Sequence, residues 1–419
     1  MTRISEIVCT ALLVVLCGTL LHAQAPAGPR LPAGVPDGYV ITPFGYFHPS
    51  CVLKIAEGET LLANGRILQR ADGTLENIPA CAYPHYAASG PITAAGATKV
   101  ESPTIDGWVG SESVTTGTSY GEIVADWVVP PAPASSNGEI VYFFPGMEDS
   151  NDVVSIIQPV LQYGDNGYFG GNDWVIASWN CCPSGITDYS TPVSVNTGDV
   201  IQGTVKSTCS AGTESCSTWN ITTADETTGG STTLANSSSE GQTFNWAFGG
   251  VLEAYNISQC SDYPPNGGIF FFNLALYDYN FNQISSPAWS GTDWASGATP
   301  QCSYSQNVDY PTEVELQYGT PAIGGVQPSS LTTQTSSGYV VLYGVGLDNS
   351  NGTTSTTISG GGMTWTTSYV SASQINVYYT LASNAPLGTR TIKVTTSAGT
   401  ATAPLTITNS APRPNTVAP

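Results

Sequence analysis

Short runs of alternating or continuous apolar residues recur through most of this chain, separated by stretches rich in Gly, Asn, Ser and Pro. Runs of this kind are typical of β-strands, and the stretches between them are typical of turns. No segment between residues 101 and 319 keeps apolar residues at helical spacing. The pattern therefore predicts an all-β fold. The clearest strands of the middle region are Ile123 to Val129, Glu139 to Phe144, Val153 to Tyr163, Trp174 to Trp179, Val200 to Val205, Phe244 to Ile257 and Ile269 to Leu276.

Changes of composition divide the 419 residues into five regions. An apolar run behind a positive N-terminus predicts a signal peptide over residues 1–25, and hence a secreted, extracellular protein. Residues 26–100 form a linker and a pro-segment. Residues 101–319 are predicted to form a large antiparallel β-sandwich of jelly-roll or concanavalin-like type. Residues 320–409 are predicted to form a small Ig-like sandwich, and 410–419 a disordered tail.

The N-terminal region allows two interpretations, a pro-segment or an ordinary N-terminal decoration, and we favour the first. It carries Lys54, Arg66 and Arg70, cations of a kind that the acidic middle region nearly lacks. At neutral pH these cations can pair with carboxylates around a cleft, and acid weakens such pairs by protonating the carboxylates. We therefore expect acid to yield a mature form that begins between about Tyr86 and Ile105.

Eight cysteines follow the predicted signal peptide. An even number in an exported chain predicts disulfides, and the absence of a CxxC pair disfavours a zinc site. We expect two local disulfides, Cys51 with Cys81 and Cys209 with Cys216. We expect two adjacent cysteines to reach separately to two distant ones, in an order that the sequence leaves open: Cys181 and Cys182 to Cys260 and Cys302.

The charge distribution excludes several classes of function. The net charge of −21 argues against nucleic acid or an anionic membrane as a partner, because both require a basic surface. All three histidines precede residue 86, and Lys206 is the one basic residue between Lys99 and Arg390. Mechanisms that need an imidazole base are therefore disfavoured in the middle region. We expect neither a cofactor nor a catalytic metal, although the acidic loops around Asp165 and Asp173 could hold calcium.

Six segments of the middle region carry motifs in a fixed order: Asp106-Gly-Trp-Val-Gly, Ala125-Asp-Trp-Val-Val-Pro, Phe144-Pro-Gly-Met-Glu-Asp, Ile156-Ile-Gln-Pro-Val-Leu-Gln-Tyr-Gly, Val193-Ser-Val-Asn-Thr-Gly-Asp-Val-Ile and Asn245-Trp-Ala-Phe-Gly-Gly-Val-Leu-Glu-Ala-Tyr. In this order they resemble the glutamic peptidases of the eqolisin type and, more distantly, the neprosin peptidases. The resemblance implies a β-sandwich endopeptidase that acts on polypeptides, with Gln158 and Glu253 as its catalytic pair.

The chemistry of this pair suits peptide hydrolysis. A glutamate such as Glu253 can take a proton from water and give it to the leaving nitrogen. The amide of Gln158 can donate to the developing oxyanion and can position the water. Strand alternation puts Glu253 on the face of Val251 and Tyr255, and Gln158 on the face of Ile156 and Val160. If these faces are concave, burial should raise the pKa of Glu253.

Other residues are candidates for supporting roles. Glu148 or Asp149 stands where the family has an aspartate near its active site, and Gln162 is an alternative counterpart of the catalytic glutamine. Pro159 predicts that the strand of Gln158 is an edge strand or is bulged. Four tryptophans are candidates for the wall of a peptide groove: Trp108, Trp174, Trp179 and Trp246.

The C-terminal region has strand-like runs such as Gly338-Tyr-Val-Val-Leu-Tyr-Gly-Val-Gly and Thr389-Arg-Thr-Ile-Lys-Val. They resemble the IPT/TIG group of immunoglobulin-like domains, which implies a spacer or binding module.

The preferred function is a secreted, monomeric, acid-acting glutamic endopeptidase that binds no membrane. One alternative is a carbohydrate-active enzyme in which Glu148 and Glu253 flank a glycosidic bond. A second alternative is a sugar-binding or adhesive protein without enzymatic activity.

Overall fold

The computed structural model describes residues 30–62, 66–87, 98–99, 105–135, 137–151, 156–182, 185–347 and 354–409. The predicted signal peptide and the predicted tail lie outside these ranges, as do most residues around the expected maturation point. Within them the regular structure consists of β-strands and two short 3₁₀ turns, Pro49–Cys51 and Cys260–Asp262. The all-β prediction is confirmed. No helix in these ranges is long and apolar enough to cross a membrane.

The N-terminal region contains eight short strands. These are β1 (Val40–Thr42), β2 (Gly45–Phe47), β3 (Val52–Ile55), β4 (Thr60–Leu62), β5 (Ile67–Gln69), β6 (Leu75–Asn77), β7 (Tyr86–Ala87) and β8 (Thr98–Lys99). They form a four-stranded sheet (β1, β2, β7, β8) and a three-stranded sheet (β4, β5, β6), while β3 joins the middle region.

The middle region contains fifteen strands. These are β9 (Ile105–Thr115), β10 (Tyr120–Val128), β11 (Ile140–Glu148), β12 (Ile156–Tyr163), β13 (Trp174–Cys181), β14 (Thr187–Ser190), β15 (Val193–Val195), β16 (Val200–Ser207), β17 (Thr218–Asp225), β18 (Ser231–Ser238), β19 (Trp246–Ile257), β20 (Gly268–Asp278), β21 (Ser290–Asp293), β22 (Ser305–Tyr310) and β23 (Glu313–Gln317). Two sheets result, in the orders β18-β17-β16-β10-β20-β23-β22 and β21-β9-β19-β11-β12-β13-β14-β3, with β15 paired to β13.

The apolar core of the middle region lies between these two sheets. Strands β16 and β17 alternate buried and more exposed residues because one face of the seven-stranded sheet meets solvent. Strands β11, β12 and β13 are buried at every described position. One face of these three strands packs on the sandwich core, with side chains such as Phe143 and Leu161, and the other face packs on the N-terminal region.

The described residues of the N-terminal region form no core separate from the middle region. Its residues Ile41, Tyr46 and Phe47 belong to one buried cluster with Tyr142 and Trp179 of the nine-stranded sheet. Strand β3 also pairs in parallel with β14 and so extends that sheet. A few short strands cannot enclose a core of their own, and here they bury their apolar side chains against the larger sheet.

Four disulfides are present among the described residues. Two are the expected local pairs, Cys51–Cys81 and Cys209–Cys216. The expected pairing of the other four is wrong, because they form Cys181–Cys182 and Cys260–Cys302. The physical reason is that the nine-stranded sheet lies between these two pairs of cysteines and keeps their sulfur atoms apart. The first pair belongs to the cluster under the N-terminal region, whereas the second packs in the sandwich core.

The C-terminal region forms a second, smaller sandwich. Its strands are β24 (Ala322–Gln327), β25 (Ser330–Thr332), β26 (Ser337–Val345), β27 (Ser355–Ile358), β28 (Met363–Ser371), β29 (Gln374–Leu381), β30 (Gly388–Thr396) and β31 (Gly399–Thr408). They make two four-stranded sheets, β24-β26-β29-β28 and β25-β31-β30-β27, around their own apolar core. The resemblance of this unit to IPT/TIG domains stays a prediction.

Candidate active site

The covered face of the nine-stranded sheet carries the predicted catalytic residues. Gln158 lies in β12 between Ile156 and Val160, and these two neighbours belong to the cluster under the N-terminal region. Glu253 lies in β19 between Val251 and Tyr255, which belong to the same cluster. Side chains two residues apart in a strand share a face. Gln158 and Glu253 therefore point to the same side of the sheet, away from the sandwich core.

A third polar side chain, Glu148, lies on this face at the end of β11. It pairs with Ile156 across β11 and β12, which makes Glu148 and Gln158 diagonal neighbours, with Cα atoms roughly 7–8 Å apart in an antiparallel pair. Glu253 is offset along the sheet, because it pairs with Tyr142, which in turn pairs with Gln162. By register alone, Glu148 is thus nearer to Gln158 than Glu253 is.

The strand pairing breaks beside Gln158. Between the pairs Phe143–Leu161 and Met147–Ile157, β11 and β12 carry Pro145 and Pro159, whose nitrogens cannot donate to a ladder. The prediction of an edge strand or a bulge is wrong. Strand β12 lies inside the sheet between β11 and β13, and the stretch between the two flanking pairs has the same number of residues on β11 and β12. The chain accommodates Pro159 by interrupting the pairing within the sheet.

The residue of β11 next to Gln158 is Gly146. A Cβ atom there would lie 3.5 Å from the Gln158 Cβ and 3.0 Å from the carbonyl oxygen of Ile157. A side chain at position 146 would press on the backbone of β12, so the glycine allows the two strands to approach closely beside Gln158. We use the name hollow for this part of the covered face, which is defined by Gly146, Glu148, Gln158 and Glu253.

The polar groups of the hollow are buried and incompletely hydrogen-bonded. Glu148, Gln158 and Glu253 are each 0% exposed. Both carboxyl oxygens of Glu148, the Gln158 Oε1 and the Glu253 Oε2 have no hydrogen-bond partner among the described residues. Buried polar atoms without partners are rare in folded proteins and call for an explanation such as water or a ligand. The hollow is therefore a place where a polar ligand would be stabilised.

Burial changes the protonation of both carboxyls. Loss of hydration raises the pKa of Glu253 to about 8, and a hydrogen bond from the Tyr255 hydroxyl to Oε1, 2.5 Å long, acts in the opposite direction. Burial also raises the pKa of Glu148 well above its usual range, and the charge of Glu253 adds to this effect. The charge of Glu253 thus reaches Glu148, although the strand register offsets the two residues along the sheet.

Gln158 is held by a contact with the N-terminal region. Its Nε2 donates to the carbonyl oxygen of Pro43 over 2.8 Å. Pro43 lies at the tip of the hairpin formed by β1 and β2. The amide donor that the sequence assigns to an oxyanion therefore already binds a peptide carbonyl oxygen.

The alternative glutamine, Gln162, has a different environment. Its Nε2 donates to the carbonyl oxygens of Gly164 and Phe169 at 2.9 and 3.2 Å, and its Oε1 accepts from Asn166 Nδ2 at 3.2 Å. All of these contacts fix the loop after β12. This pattern indicates a structural role for Gln162, in contrast to Gln158.

Asp149 also serves the local structure. One of its oxygens accepts from the backbone N–H of Asn151 and the other from that of Thr243, both at 2.9 Å. The side chain thereby ties the end of β11 to the segment before β19.

The four candidate tryptophans are divided between the two sides of the sheet. Trp108, Trp179 and Trp246 pack with the cluster under the N-terminal region. Trp174 instead lies in the sandwich core and stacks on Phe143, so its assignment to a groove is wrong. Trp174 and Trp179 are five residues apart in one strand, and an odd separation puts two side chains on opposite faces.

The expected ion pairs between the N-terminal cations and the cleft are not formed in the described structure. Arg70 pairs with Glu59 and Glu76 of its own region. Arg66 donates from Nε to the carbonyl oxygen of Ile78. These arginines lie at the three-stranded sheet, which packs near β18 rather than over the hollow. Apolar groups and hydrogen bonds cover the hollow instead.

No group of three or more His, Cys, Asp or Glu side chains suited to a metal ion occurs among the described residues. In the loop that was a calcium candidate, Asp165 Oδ1 accepts from the backbone N–H of Gly167 over 2.9 Å. This bond is a local turn contact.

Sequence reasoning did not select Tyr255 and Gly146. The signal for Tyr255 is its place two residues after Glu253, which puts its hydroxyl on the same face. Gly146 stands between Pro145 and Met147 in a strand, where a glycine often marks a bulge or a close approach. A further buried carboxyl, Glu112 of β9, is also unpartnered among the described residues, and burial raises its pKa to about 8. It lies on the opposite face of the sheet, toward Asp309 of β22.

No protein-family model matches the sequence, and no curated protein matches it. Among solved structures, the chain is similar to scytalido-glutamic peptidase bound to a peptide-based transition-state analogue, with 16% identity, a TM-score of 0.37, and coverage of 50% of this chain and 98% of that one. It is also similar to aspergilloglutamic peptidase from Aspergillus niger, with 16% identity, a TM-score of 0.29, and coverage of 43% and 98%. A member of the eqolisin family in complex with the tripeptide Ala-Ile-His gives 16% identity, a TM-score of 0.35, and coverage of 50% and 98%. The function proposed below rests on the side chains of the hollow.

Proposed function

We propose that this chain is a secreted, acid-acting endopeptidase in which Gln158, Glu253 and Glu148 hydrolyse peptide bonds. The observation that carries the proposal is the hollow itself, where three fully buried polar side chains share one face and leave oxygens without partners. A peptide carbonyl bound by Gln158 supports a peptide as the ligand.

Each residue has a role that follows from its environment. The Gln158 amide donates to the carbonyl oxygen of the scissile bond and to the oxyanion that develops there. Glu253, oriented by the Tyr255 hydroxyl, takes a proton from the attacking water and passes it to the leaving nitrogen. Glu148 is a second carboxyl close to Gln158, and burial together with the charge of Glu253 keeps it protonated while Glu253 is ionised.

The cleavage activity should be greatest in acid and should decline above about pH 7. In the covered state, burial holds the pKa of Glu253 at about 8. Access of water to the hollow should lower the pKa of both carboxyls toward the usual range, so that the pair holds a single proton in acid and none at alkaline pH. The measurement is cleavage of a denatured protein from pH 2 to pH 9. An optimum above pH 7 would contradict a mechanism based on carboxyl groups.

Gln158→Ala should lower kcat about a hundredfold or more, because it removes an oxyanion donor. The melting temperature should fall as well, because the variant loses the buried hydrogen bond to the Pro43 carbonyl oxygen. Gln162→Ala is the matched control, because it removes an amide from the same strand and face that serves the loop after β12. This control should lower the melting temperature and keep most of kcat. Equal losses of kcat in the two variants would contradict the role of Gln158.

A carbohydrate-active enzyme is the second candidate, because Glu148 and Glu253 place two interacting carboxyls on one face. The same preparation should therefore be assayed on a panel of polysaccharides. Release of reducing ends without any cleavage of protein would favour this candidate over the peptidase.

A further inference from the structure

The tip of one hairpin enters the hollow. Strands β1 and β2 pair in the register Val40–Phe47, Ile41–Tyr46 and Thr42–Gly45, which leaves Pro43 and Phe44 at the tip. Gly45 has a φ of 117°, which a residue with a side chain rarely adopts, and the Thr42 hydroxyl donates to the Gly45 carbonyl oxygen over 3.1 Å. The sequence of the tip therefore specifies this tight turn.

Three hydrogen bonds join the hairpin to the middle region. The Gln158 amide donates to the Pro43 carbonyl oxygen over 2.8 Å, and the Tyr142 hydroxyl donates to the Ile41 carbonyl oxygen over 3.3 Å. The Ile41 N–H donates to the Asn166 carbonyl oxygen over 3.0 Å. The backbone of the hairpin is thus bound at its tip and in the strand before the tip, by the hydrogen-bonding groups that a peptide substrate would also offer.

Apolar contacts complete this interface. The Tyr46 ring packs edge-on against the ring of Tyr255, with centroids 5.5 Å apart, next to the hydrogen bond between Tyr255 and Glu253. Ile41, Tyr46 and Phe47 are 0% exposed. The hairpin contributes no acidic or basic side chain, so its attachment does not depend on a pairing of opposite charges.

We propose that the hairpin Val40–Phe47 is a built-in peptide ligand of the hollow, in which the Pro43 carbonyl oxygen takes the place of the scissile carbonyl oxygen of a substrate. The inhibition of cleavage by the hairpin rests on the proposed function, whereas its binding to the hollow does not. The sequence predicts a pro-segment within residues 26–100. We assign its inhibitory contact to the hairpin Val40–Phe47 and, within the hairpin, to the Pro43 carbonyl oxygen.

Release of the hairpin by a cut in the chain and dissociation adds to release by acid, because backbone hydrogen bonds and apolar contacts hold most of the loop. The carboxyl groups that face the hairpin are those of Asp106 and Glu253, beside the Tyr46 hydroxyl.

The test in the full, uncut chain uses Tyr46→Ala, which should loosen the hairpin by removing its ring contact with Tyr255. The exposure of the hollow is measured by carbodiimide labelling of Glu253 and Glu148, located by mass spectrometry. We expect labelling to rise at least tenfold and cleavage of protein to rise with it. Leu75→Ala is the matched control, because this side chain lies in the same region, is 64% exposed and is remote from the hollow. It should change neither signal.

A second arm does not depend on the folding of that variant. A synthetic peptide of residues 38–49 is added to a full-length chain in which the N-terminal region has been cut by a site-specific protease at a sequence inserted within residues 88–97, and then dissociated. The peptide should bind in calorimetry, protect Glu253 from labelling and inhibit cleavage. Gln158→Ala should weaken its binding about fivefold, as expected for one hydrogen bond. A peptide of residues 66–77 should not bind.

The outcomes separate the two proposals. Unchanged labelling in a folded Tyr46→Ala chain, together with no binding of the 38–49 peptide, would overturn the hairpin as a ligand, whatever the activity. Binding and protection without cleavage of any protein would support the hairpin as a ligand of the hollow and would overturn the peptidase.

Discussion

Glu253→Gln should abolish cleavage of protein while the chain remains folded. The glutamine keeps the size of the side chain and can still accept the hydrogen bond from the Tyr255 hydroxyl, but it cannot exchange a proton with water. The kcat should fall by at least a thousandfold, on the scale expected when a general acid–base group is lost. The measurement is the cleavage rate of a denatured protein in acid, with the N-terminal region cut by an added protease so that activation does not depend on the variant's own activity.

The matched control is Glu112→Gln. Glu112 is also fully buried, its oxygens have no partner among the described residues, and burial raises its pKa to the same value of about 8. It lies away from the hollow, so its substitution should leave the cleavage rate within about twofold. A folded Glu253→Gln chain that cleaves protein at the wild-type rate would refute the glutamic-peptidase mechanism.

The sequence predicted the all-β fold and, for each candidate residue, the neighbours that share its face within its own strand, because both follow from local patterns. Gln158 and Glu253 each stand in an alternating strand, and the identity of their i±2 neighbours determines their face. The same rule, applied to Trp174 and Trp179, would have put the two rings on opposite faces. The residue type alone does not say on which face of a strand a tryptophan lies, whereas its position in the strand does.

Rules that rest on local sequence patterns cannot predict contacts between distant segments. Gln158 and Pro43 are 115 residues apart, and nothing in either segment specifies the other. The pairing of Cys181 with Cys182 depends on which side of a sheet each sulfur occupies, and spacing in the sequence does not contain that information. The cations of the N-terminal region suggested ion pairs with the cleft, but a salt bridge forms with the nearest carboxylate. For Arg70 these partners are Glu59 and Glu76 of its own region.

Buried carboxyls also predict how the stability of the fold depends on pH. Burial raises the pKa of Glu112 and Glu253 to about 8 and the pKa of Glu148 and Asp188 well above the usual range. A glutamate in the unfolded chain titrates near pH 4.3. Between these values the folded state holds protons that the unfolded state has lost. The free energy of unfolding therefore decreases as the pH rises from about 4.3 to about 8.

We accordingly expect the middle region to melt at least about 10 °C higher at pH 4.5 than at pH 8, measured by differential scanning calorimetry. Each unit of pKa shift corresponds to about 1.4 kcal/mol, and a domain of this size gains about 2–4 °C for each kcal/mol. Hydrogen bonds lower the pKa of Asp225, Asp262 and Asp278, so stability should fall again below about pH 4 as these carboxylates are protonated.

Glu112→Gln isolates the contribution of one carboxyl to this pH dependence. The amide does not ionise, so the variant should melt higher than the wild type at pH 8 and close to it at pH 4.5, which makes the pH dependence shallower. Val308→Ala, an exposed substitution in β22 near the same edge, should shift the melting temperature equally at both pH values. A wild-type melting temperature that is constant or falls between pH 8 and pH 4.5 would contradict the protonation of these buried groups. In that case acid would not stabilise the fold. Any activity in acid would then depend on the protonation of the catalytic pair alone.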